Sequence, residues 1–310
     1  MTGKRTSWIA LGCAVATVAA TAALAPHASG LLPRRRKRAR QAHVETSRSF
    51  NRGSALLACS VLTDSAMEHY RGAFSNPAMY LPPAVATLSL LAGLHGGADR
   101  HARTHEVRHA IYWGAALTGV AGTGFHLYNV MKRPGGWSWQ NLFYAAPLGA
   151  PTALLLSGAL GAVAERLRNQ PARAPRLLGM PAGKALGLLC GIGLAGTAAE
   201  AALLHFRGSF QHKAMYAPVS VPPAASILLL HASLTPPRPR WLARTVLQLT
   251  WLLGWIGTAF HVRGVARHHG GWRNWSQNLF NGPPVPAPPS FSALALAGLA
   301  ALRLREGERR

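Results

Sequence analysis

The stretch 69–82 reads HYRGAFSNPAMYLP, and the stretch 205–218 reads HFRGSFQHKAMYAP. The two align without a gap at an offset of 136 residues, the separation of His69 from His205. Further matches follow in the same order: GTGFH at 122–126 and GTAFH at 257–261, GGW at 135–137 and at 270–272, QNLF at 140–143 and at 277–280. Matches kept in one order over this length indicate an internal duplication.

Each copy holds four apolar stretches that can form helices. They lie at 54–69, 78–95, 110–128 and 141–164 in the first copy, and at 180–205, 214–232, 244–261 and 280–302 in the second. A helix needs about 17–25 residues to cross the hydrocarbon core. An even number of crossings per copy makes the copies parallel, related by a pseudo-twofold axis along the membrane normal. The predicted fold is all-α integral membrane, with two four-helix transmembrane repeats and an N-terminal transmembrane helix.

The composition favours a membrane location. The chain has 310 residues, of which 49% are hydrophobic and 14% are charged, with 33 Lys and Arg against 9 Asp and Glu. A soluble domain carries about 25% charged residues. The basic residues here are concentrated between apolar stretches, which is typical of topology signals rather than of nucleic-acid binding. We therefore expect neither an ordinary cytosolic enzyme nor a nucleic-acid partner.

The basic segments also predict the organisation and the orientation of the chain. Lys and Arg number 23 on the side that carries 34–52 and 10 on the other, which places the N-terminus outside and the C-terminus in the cytoplasm of the plasma (inner) membrane. Whether residues 1–25 are cleaved is left open. The predicted divisions are an N-terminal transmembrane helix or signal anchor (1–30), a basic cytoplasmic linker (31–53), repeat 1 (54–164), a second basic linker (165–179), repeat 2 (180–302) and a basic tail (303–310).

Four histidines are matched between the copies, each near the exterior end of its helix. His69 and His205 close the first helix of their copies, and His126 and His261 close the third. Because the first and third helices of one copy run parallel, we expect His69 to approach His126 and His205 to approach His261. Two imidazoles on different helices of a four-helix bundle can ligate haem b or a metal, so two pairs imply up to two cofactors. The alternative is an interfacial histidine that hydrogen-bonds a headgroup or a backbone carbonyl.

Two acids and two arginines accompany these histidines. Asp64 and Glu200 lie five residues before His69 and His205, inside apolar stretches. Ionisable groups within transmembrane segments are costly and mark functional sites, so we expect these carboxyls to move or buffer protons in any catalysed reaction. The alternative is a carboxyl hydrogen-bonded to neighbouring Ser, Thr or Asn. Arg71 and Arg207 are expected to hold haem propionates or another anion.

The leading functional hypothesis is a multi-pass membrane protein that binds haem or a metal through the repeated histidine pairs and acts in membrane electron transfer or related redox chemistry. The expected partners are the lipid bilayer and a quinone or redox partner protein. One alternative is a two-repeat transporter whose central path contains the carboxylates. Another is a non-catalytic anchor or assembly protein. No nucleotide-binding loop or HExxH motif occurs in the sequence to identify a reaction.

Overall fold

The computed structural model describes residues 35–308 apart from 145–146, 169 and 171–174, with side chains from His43 onward. In this part the protein is all-α. The long helices are α1 (Arg35–Arg71), α2 (Leu81–Ala98), α3 (Glu106–Met131), α5 (Gly149–Arg168), α6 (Ala182–Arg207), α7 (Val221–Leu234), α8 (Trp241–Arg267) and α10 (Pro289–Gly307). The shorter elements are the 3₁₀ turns Pro77–Tyr80, Lys213–Tyr216 and Gly271–Asn274, the helices α4 (Trp139–Tyr144) and α9 (Trp275–Asn281), and the antiparallel strands β1 (Arg176–Leu177) and β2 (Met180–Pro181).

The order of these elements repeats. Unit 1 runs α1, 3₁₀ turn, α2, α3, α4 and α5, and unit 2 runs α6, 3₁₀ turn, α7, α8, α9 and α10. The packing repeats as well, since α1 and α3 each contact both α2 and α5, while α6 and α8 each contact both α7 and α10. Each unit is therefore a ring of four helices in which α1 lies diagonally from α3, and α6 from α8. The units meet where α10 packs on α1 and α5 packs on α6.

The two ends of the helices carry different chemistry. The connections from α1 to α2, α3 to α5, α6 to α7 and α8 to α10 lie at one end, which we call the histidine end because His69, His126, His205 and His261 lie there. The opposite end holds the connections from α2 to α3, α5 to α6 and α7 to α8. We call it the arginine end, after Arg108, Arg168, Arg244 and Arg305.

Small residues allow the helices to approach closely. Where α5 crosses α3, a Cβ atom added to Gly158 would lie 2.4 Å from the backbone nitrogen of Ala116 and 2.4 Å from the carbonyl oxygen of Tyr112. Both neighbours are backbone atoms, so neither can move aside alone. Glycine at this position is therefore a requirement of the α3–α5 contact.

We expect Gly158→Ala to destabilise the protein by about 1–3 kcal/mol, because the extra methyl group forces α3 and α5 apart. Gly114 of α3 supplies a matched control, since a Cβ atom there meets none of the described atoms within 4 Å. Gly114→Ala should leave stability unchanged or raise it slightly through helix propensity. Thermal unfolding in detergent measures both variants, and equal midpoints would contradict the packing.

The helices differ from the predicted apolar stretches in their ends. The helix α1 begins at Arg35, well before residue 54, because the Arg, Lys, Ala and Gln residues that precede the apolar stretch are good helix formers. The stretches 141–164 and 280–302 each divide into a short helix and a long one. Proline interrupts a helix by removing a backbone donor and by restricting the residue before it, and Pro147 and Pro284 lie in these two breaks. The predicted helix at 1–30 falls outside the described residues.

Three helical stretches are long and apolar enough to cross a membrane: Pro77–Ala98, Ala182–Arg207 and Lys213–Leu234. The stretches Ala182–Arg207 and Lys213–Leu234 meet at a connection on the histidine end. Pro77–Ala98 is the equivalent of Lys213–Leu234 in unit 1. Other long helices carry more polar side chains within their apolar parts, such as Asp64 in α1 and Gln248 in α8. The all-α class is confirmed, and the membrane-spanning arrangement is taken up as a proposal below.

Candidate functional site at the histidine end

The four matched histidines share one hydrogen-bonding arrangement. In each, ring Nδ1 donates to a backbone carbonyl oxygen in the connection that precedes the next long helix on the same end of its unit. The distances are 2.5 Å from His69 to Met79, 2.8 Å from His126 to Pro147, 3.1 Å from His205 to Met215 and 2.7 Å from His261 to Pro284. A carbonyl oxygen only accepts, so the proton lies on Nδ1 and the lone pair of the neutral ring lies on Nε2.

The two matched histidines of each unit interact electrostatically, His126 with His69 and His261 with His205. The partners sit on diagonal helices of their ring, α1 with α3 and α6 with α8. All four side chains are partly buried. Each unit therefore presents two imidazoles across its bundle.

The loop after each first helix is strained in the same way in both units. Ala73 and Phe74 have φ values of 52° and 47°, and the equivalent Ser209 and Phe210 have 55° and 46°. Left-handed backbone at non-glycine residues costs roughly 1–3 kcal/mol each and persists only where surrounding contacts enforce it. Strain retained at equivalent positions of both copies marks this loop as a constrained feature of the histidine end.

Aromatic stacking holds this strained loop. The Phe74 ring stacks on Tyr80 at 4.2 Å between centroids, and Phe210 stacks on Tyr216 at 4.6 Å. Phe74 also meets the His69 ring edge to face at 6.2 Å, and Phe210 meets His205 at the same distance. Each first-helix histidine is thus fixed by a carbonyl on one side and by an aromatic ring on another.

The predicted carboxylates lie between the units. Asp64 and Glu200 interact electrostatically with each other, and both are partly buried. Glu200 accepts a hydrogen bond of 2.8 Å from the backbone N–H of Gly149, at the start of α5 in the other unit. The residue equivalent to Gly149 in unit 2 is Pro286, which has no N–H to offer Asp64. Glu200 therefore contacts the opposite unit through a bond that Asp64 has no equivalent donor to form.

The two predicted arginines differ from one another. Arg71 donates to Glu68 at 2.8 Å in an exposed ion pair. Residue 204, equivalent to Glu68, is leucine, and Arg207 instead lies over the Phe143 ring at 5.6 Å from its centroid. Within the described residues, no hydrogen bond from either guanidinium to a matched histidine is found. The anion-binding role stays a prediction.

Aromatic contacts across the units are reciprocal. Tyr70 of unit 1 stacks on Phe280 of unit 2, with centroids 5.4 Å apart and planes 25° apart. The equivalent residues form the converse pair, Phe206 of unit 2 against Phe143 of unit 1 at 6.0 Å. Tyr70 of unit 1 contacts unit 2, and its equivalent Phe206 of unit 2 contacts unit 1. Two units related by a twofold axis make contacts of this reciprocal kind.

Sequence reasoning missed a buried ionic network at the arginine end of unit 1. The carboxylate of Glu165 is fully buried and accepts two hydrogen bonds of 3.0 Å from Arg108, which is itself 1% exposed. Arg168 lies 3.5 Å from the same carboxylate and donates to the carbonyl oxygens of Gly96 and His101 at 2.7 and 2.6 Å. These contacts tie together α2, α3, α5 and the loop between α2 and α3.

Asp99 completes this network with a 2.8 Å contact to Arg108. Burial raises the pKa of Asp99, but hydrogen bonds from the His101 backbone and from Arg108 outweigh it and hold the pKa well below its usual range. A lowered pKa means that the ionised form is stabilised in the folded chain. This stabilisation is complete above about pH 4, the ordinary carboxyl range, and is lost as the pH falls toward the lowered pKa.

Part of the network has a counterpart in unit 2. Arg305, equivalent to Arg168, donates to the carbonyl oxygen of Thr235 at 2.9 Å, as Arg168 does to that of Asp99 at 3.2 Å. The residue equivalent to Arg108 is the buried Ala243, and the neighbouring Arg244 contacts Glu306 at 2.6 Å. We counted these arginines only as cytoplasmic topology signals. The matched positions of Arg168 and Arg305 in the duplication were a signal that marked this one pair.

In comparisons with family models, curated proteins and solved structures, no match to this chain is found.

Proposed function

We propose that the chain is a multi-pass protein of the plasma membrane whose two four-helix units are related by a pseudo-twofold axis along the membrane normal. Three observations support the twofold relation: the repeated order of elements, the repeated ring of contacts, and the reciprocal aromatic pairs. The three apolar helical stretches support membrane insertion. The excess of basic residues at the arginine end supports a cytoplasmic location for that end and an exterior location for the histidine end.

We further propose that each histidine pair binds haem b and that the protein acts in membrane electron transfer. The observation that carries this proposal is the arrangement common to all four histidines, in which Nδ1 donates to a carbonyl and Nε2 is left with its lone pair. In ligating histidines, a hydrogen bond from the ring nitrogen that does not bind the ligand fixes the tautomer and raises the basicity of the nitrogen that does. A single histidine at the membrane interface could also donate such a hydrogen bond to a backbone carbonyl without binding a ligand. The repetition of this hydrogen bond at four matched positions favours ligation.

The number of donors favours haem over a bare metal ion. Structural zinc takes four protein ligands and catalytic zinc takes three. Across the part of the chain that the structure describes, no group of three or more His, Cys, Asp or Glu side chains converges. A haem b would need only two imidazoles from the protein, which His69 and His126 would supply in unit 1 and His205 and His261 in unit 2. When bound, haem supplies one-electron redox chemistry to each unit.

The Asp64–Glu200 pair supports a proton-handling role beside such a redox centre. Two carboxylates that interact in a weakly polar setting do not both ionise readily, so the pair favours retention of one proton. The N–H of Gly149 stabilises the ionised form of Glu200. The same position between the units favours a transporter as the second candidate function, with this pair on the transport path.

An absorption spectrum tests the proposal directly. The protein, expressed with a haem precursor and purified in detergent, should show a Soret band and, after dithionite, a sharpened α band of six-coordinate bis-histidine haem. A pyridine haemochrome assay should give up to two haems per chain. A chain that shows no Soret band after expression or after titration with hemin would contradict haem binding and leave the transporter as the better candidate.

A further inference from the structure

An open cleft of about 550 Å³ lies at the histidine end where the two units meet. Unit 1 contributes Tyr70, Arg71, Ala73 and Phe74 to its walls, and unit 2 contributes Phe280 and Asn281. Small-molecule sites have volumes of about 300–1,000 Å³ and combine apolar walls with a few polar groups. The cleft has both properties.

The two units differ at one residue beside this arginine. In unit 1, Glu68 holds Arg71 in a 2.8 Å ion pair. In unit 2 the residue at the position of Glu68 is Leu204, and Arg207 lies over the ring of Phe143, the equivalent of Phe280, at 5.6 Å from its centroid. Among the described residues, this arginine–aromatic contact is found in unit 2 and not at the equivalent position of unit 1.

The chemistry of the walls selects the ligand class. Phe74 and Phe280 offer aromatic surfaces, while the Tyr70 hydroxyl, the Arg71 guanidinium and the Asn281 amide offer hydrogen-bond donors. The charges of Glu68 and Arg71 cancel, so the cleft favours a neutral molecule over a phosphate or a carboxylate. A planar ring with carbonyl oxygens on opposite edges meets both requirements, by stacking on the aromatic walls and by accepting from the donors.

We propose that this cleft binds the headgroup of a membrane quinone. The proposal rests on the proposed redox function, for which it names the electron carrier. The position supports it, because the Phe74 ring lines the cleft and also contacts His69 edge to face at 6.2 Å. A bound headgroup therefore lies one aromatic ring away from the histidine pair of unit 1.

The test uses the full chain in phosphatidylcholine nanodiscs with decylubiquinone as the ligand and an azido-quinone analogue as the photolabel. We expect one saturable site, with label on peptides that contain residues 70–74 and 280–281 and with displacement by decylubiquinone. Glu68→Leu reproduces the unit 2 sequence and releases Arg71 onto Phe280, so affinity should fall at least tenfold. Phe280→Ala, which removes one wall, should weaken binding similarly.

The second copy of the site supplies the control. Phe143→Ala alters the equivalent position, where Arg207 lies over the ring, and should leave quinone affinity unchanged. Wild-type affinity in Glu68→Leu, confirmed as folded by circular dichroism and gel filtration, would overturn the proposal, as would labelling confined to the Phe143 copy. Displacement of the label by phosphatidylglycerol in the nanodisc would also overturn it, since that result identifies a phospholipid site.

Failure of this proposal and failure of the haem proposal are separable. Loss of the Soret band with retained photolabelling leaves the quinone site standing without haem. A normal haem spectrum without saturable labelling overturns the quinone site and leaves haem binding standing.

Discussion

Alanine at His69 or at His126 is expected to remove about half of the Soret absorbance, and alanine at both should remove no more than either one alone. If each pair holds one haem as proposed, both imidazoles of a pair would be needed, so the loss of either would disable the whole site of unit 1. His205→Ala should remove the other half, and the combination of His69→Ala with His205→Ala should remove all of it. Haem per chain, measured by pyridine haemochrome, gives the count in each variant.

In the proposed ligand set, His69 and His126 would hold one haem and His205 and His261 the other, and a single remaining imidazole would hold it weakly. His231→Ala is the control, because His231 is exposed and lies at the arginine end of α7. A double variant of His69 and His205 that keeps the full Soret band would contradict the assignment of these residues as ligands.

The largest effect on stability is expected at Glu165. Replacement by alanine leaves Arg108 and Arg168 buried without their shared carboxylate, and removal of one partner from a buried ion pair costs about 3–5 kcal/mol. Glu165→Gln retains hydrogen-bonding capacity but not charge, and it should fall between alanine and the wild type. Unfolding midpoints in detergent, with helix content followed by circular dichroism, measure the series.

Glu306 provides a matched comparison at the equivalent end of unit 2. Its partner Arg244 has a side chain that is 42% exposed, and water screens such a pair. Glu306→Ala should therefore cost less than about 1 kcal/mol, in the range of exposed ion pairs. Equal decreases in unfolding free energy in Glu165→Ala and Glu306→Ala would show that the Glu165 network does not stabilise the arginine end more than the exposed pair does.

Part of this structure was predictable from the sequence. The duplicated motifs placed His69, His126, His205 and His261 at like ends of parallel helices, and all four lie at the histidine end of the structure. The pairing of His69 with His126 and of His205 with His261 around a shared ligand stays a prediction. The hydrogen bonds from Nδ1 were not predictable, since their acceptors are backbone carbonyls, which carry no residue-specific signal. The helix starts were missed for a related reason: hydropathy identifies an apolar stretch but does not register basic residues that continue the same helix.

The arginine end was misread because hydropathy treats every charge as a reason for exposure. Arg108 and Arg168 have their charges balanced by Glu165 and Asp99, so the group as a whole can be buried. Sequence separation hides this balance, since Glu165 lies far from Arg108 along the chain. Only the fold brings α3 and α5 together and makes the network neutral.

The reciprocal aromatic contacts bear on how such a chain arose. Tyr70 with Phe280, and Phe206 with Phe143, are the two contacts that separate copies of a single four-helix protein make when they associate as a symmetric homodimer. Fusion of two gene copies through the segment between α5 and α6 preserves those contacts. After fusion, the sequences of the two halves can change independently. The substitutions at residues 68 and 204, and at 149 and 286, are then the divergence that fusion permits and that a homodimer forbids.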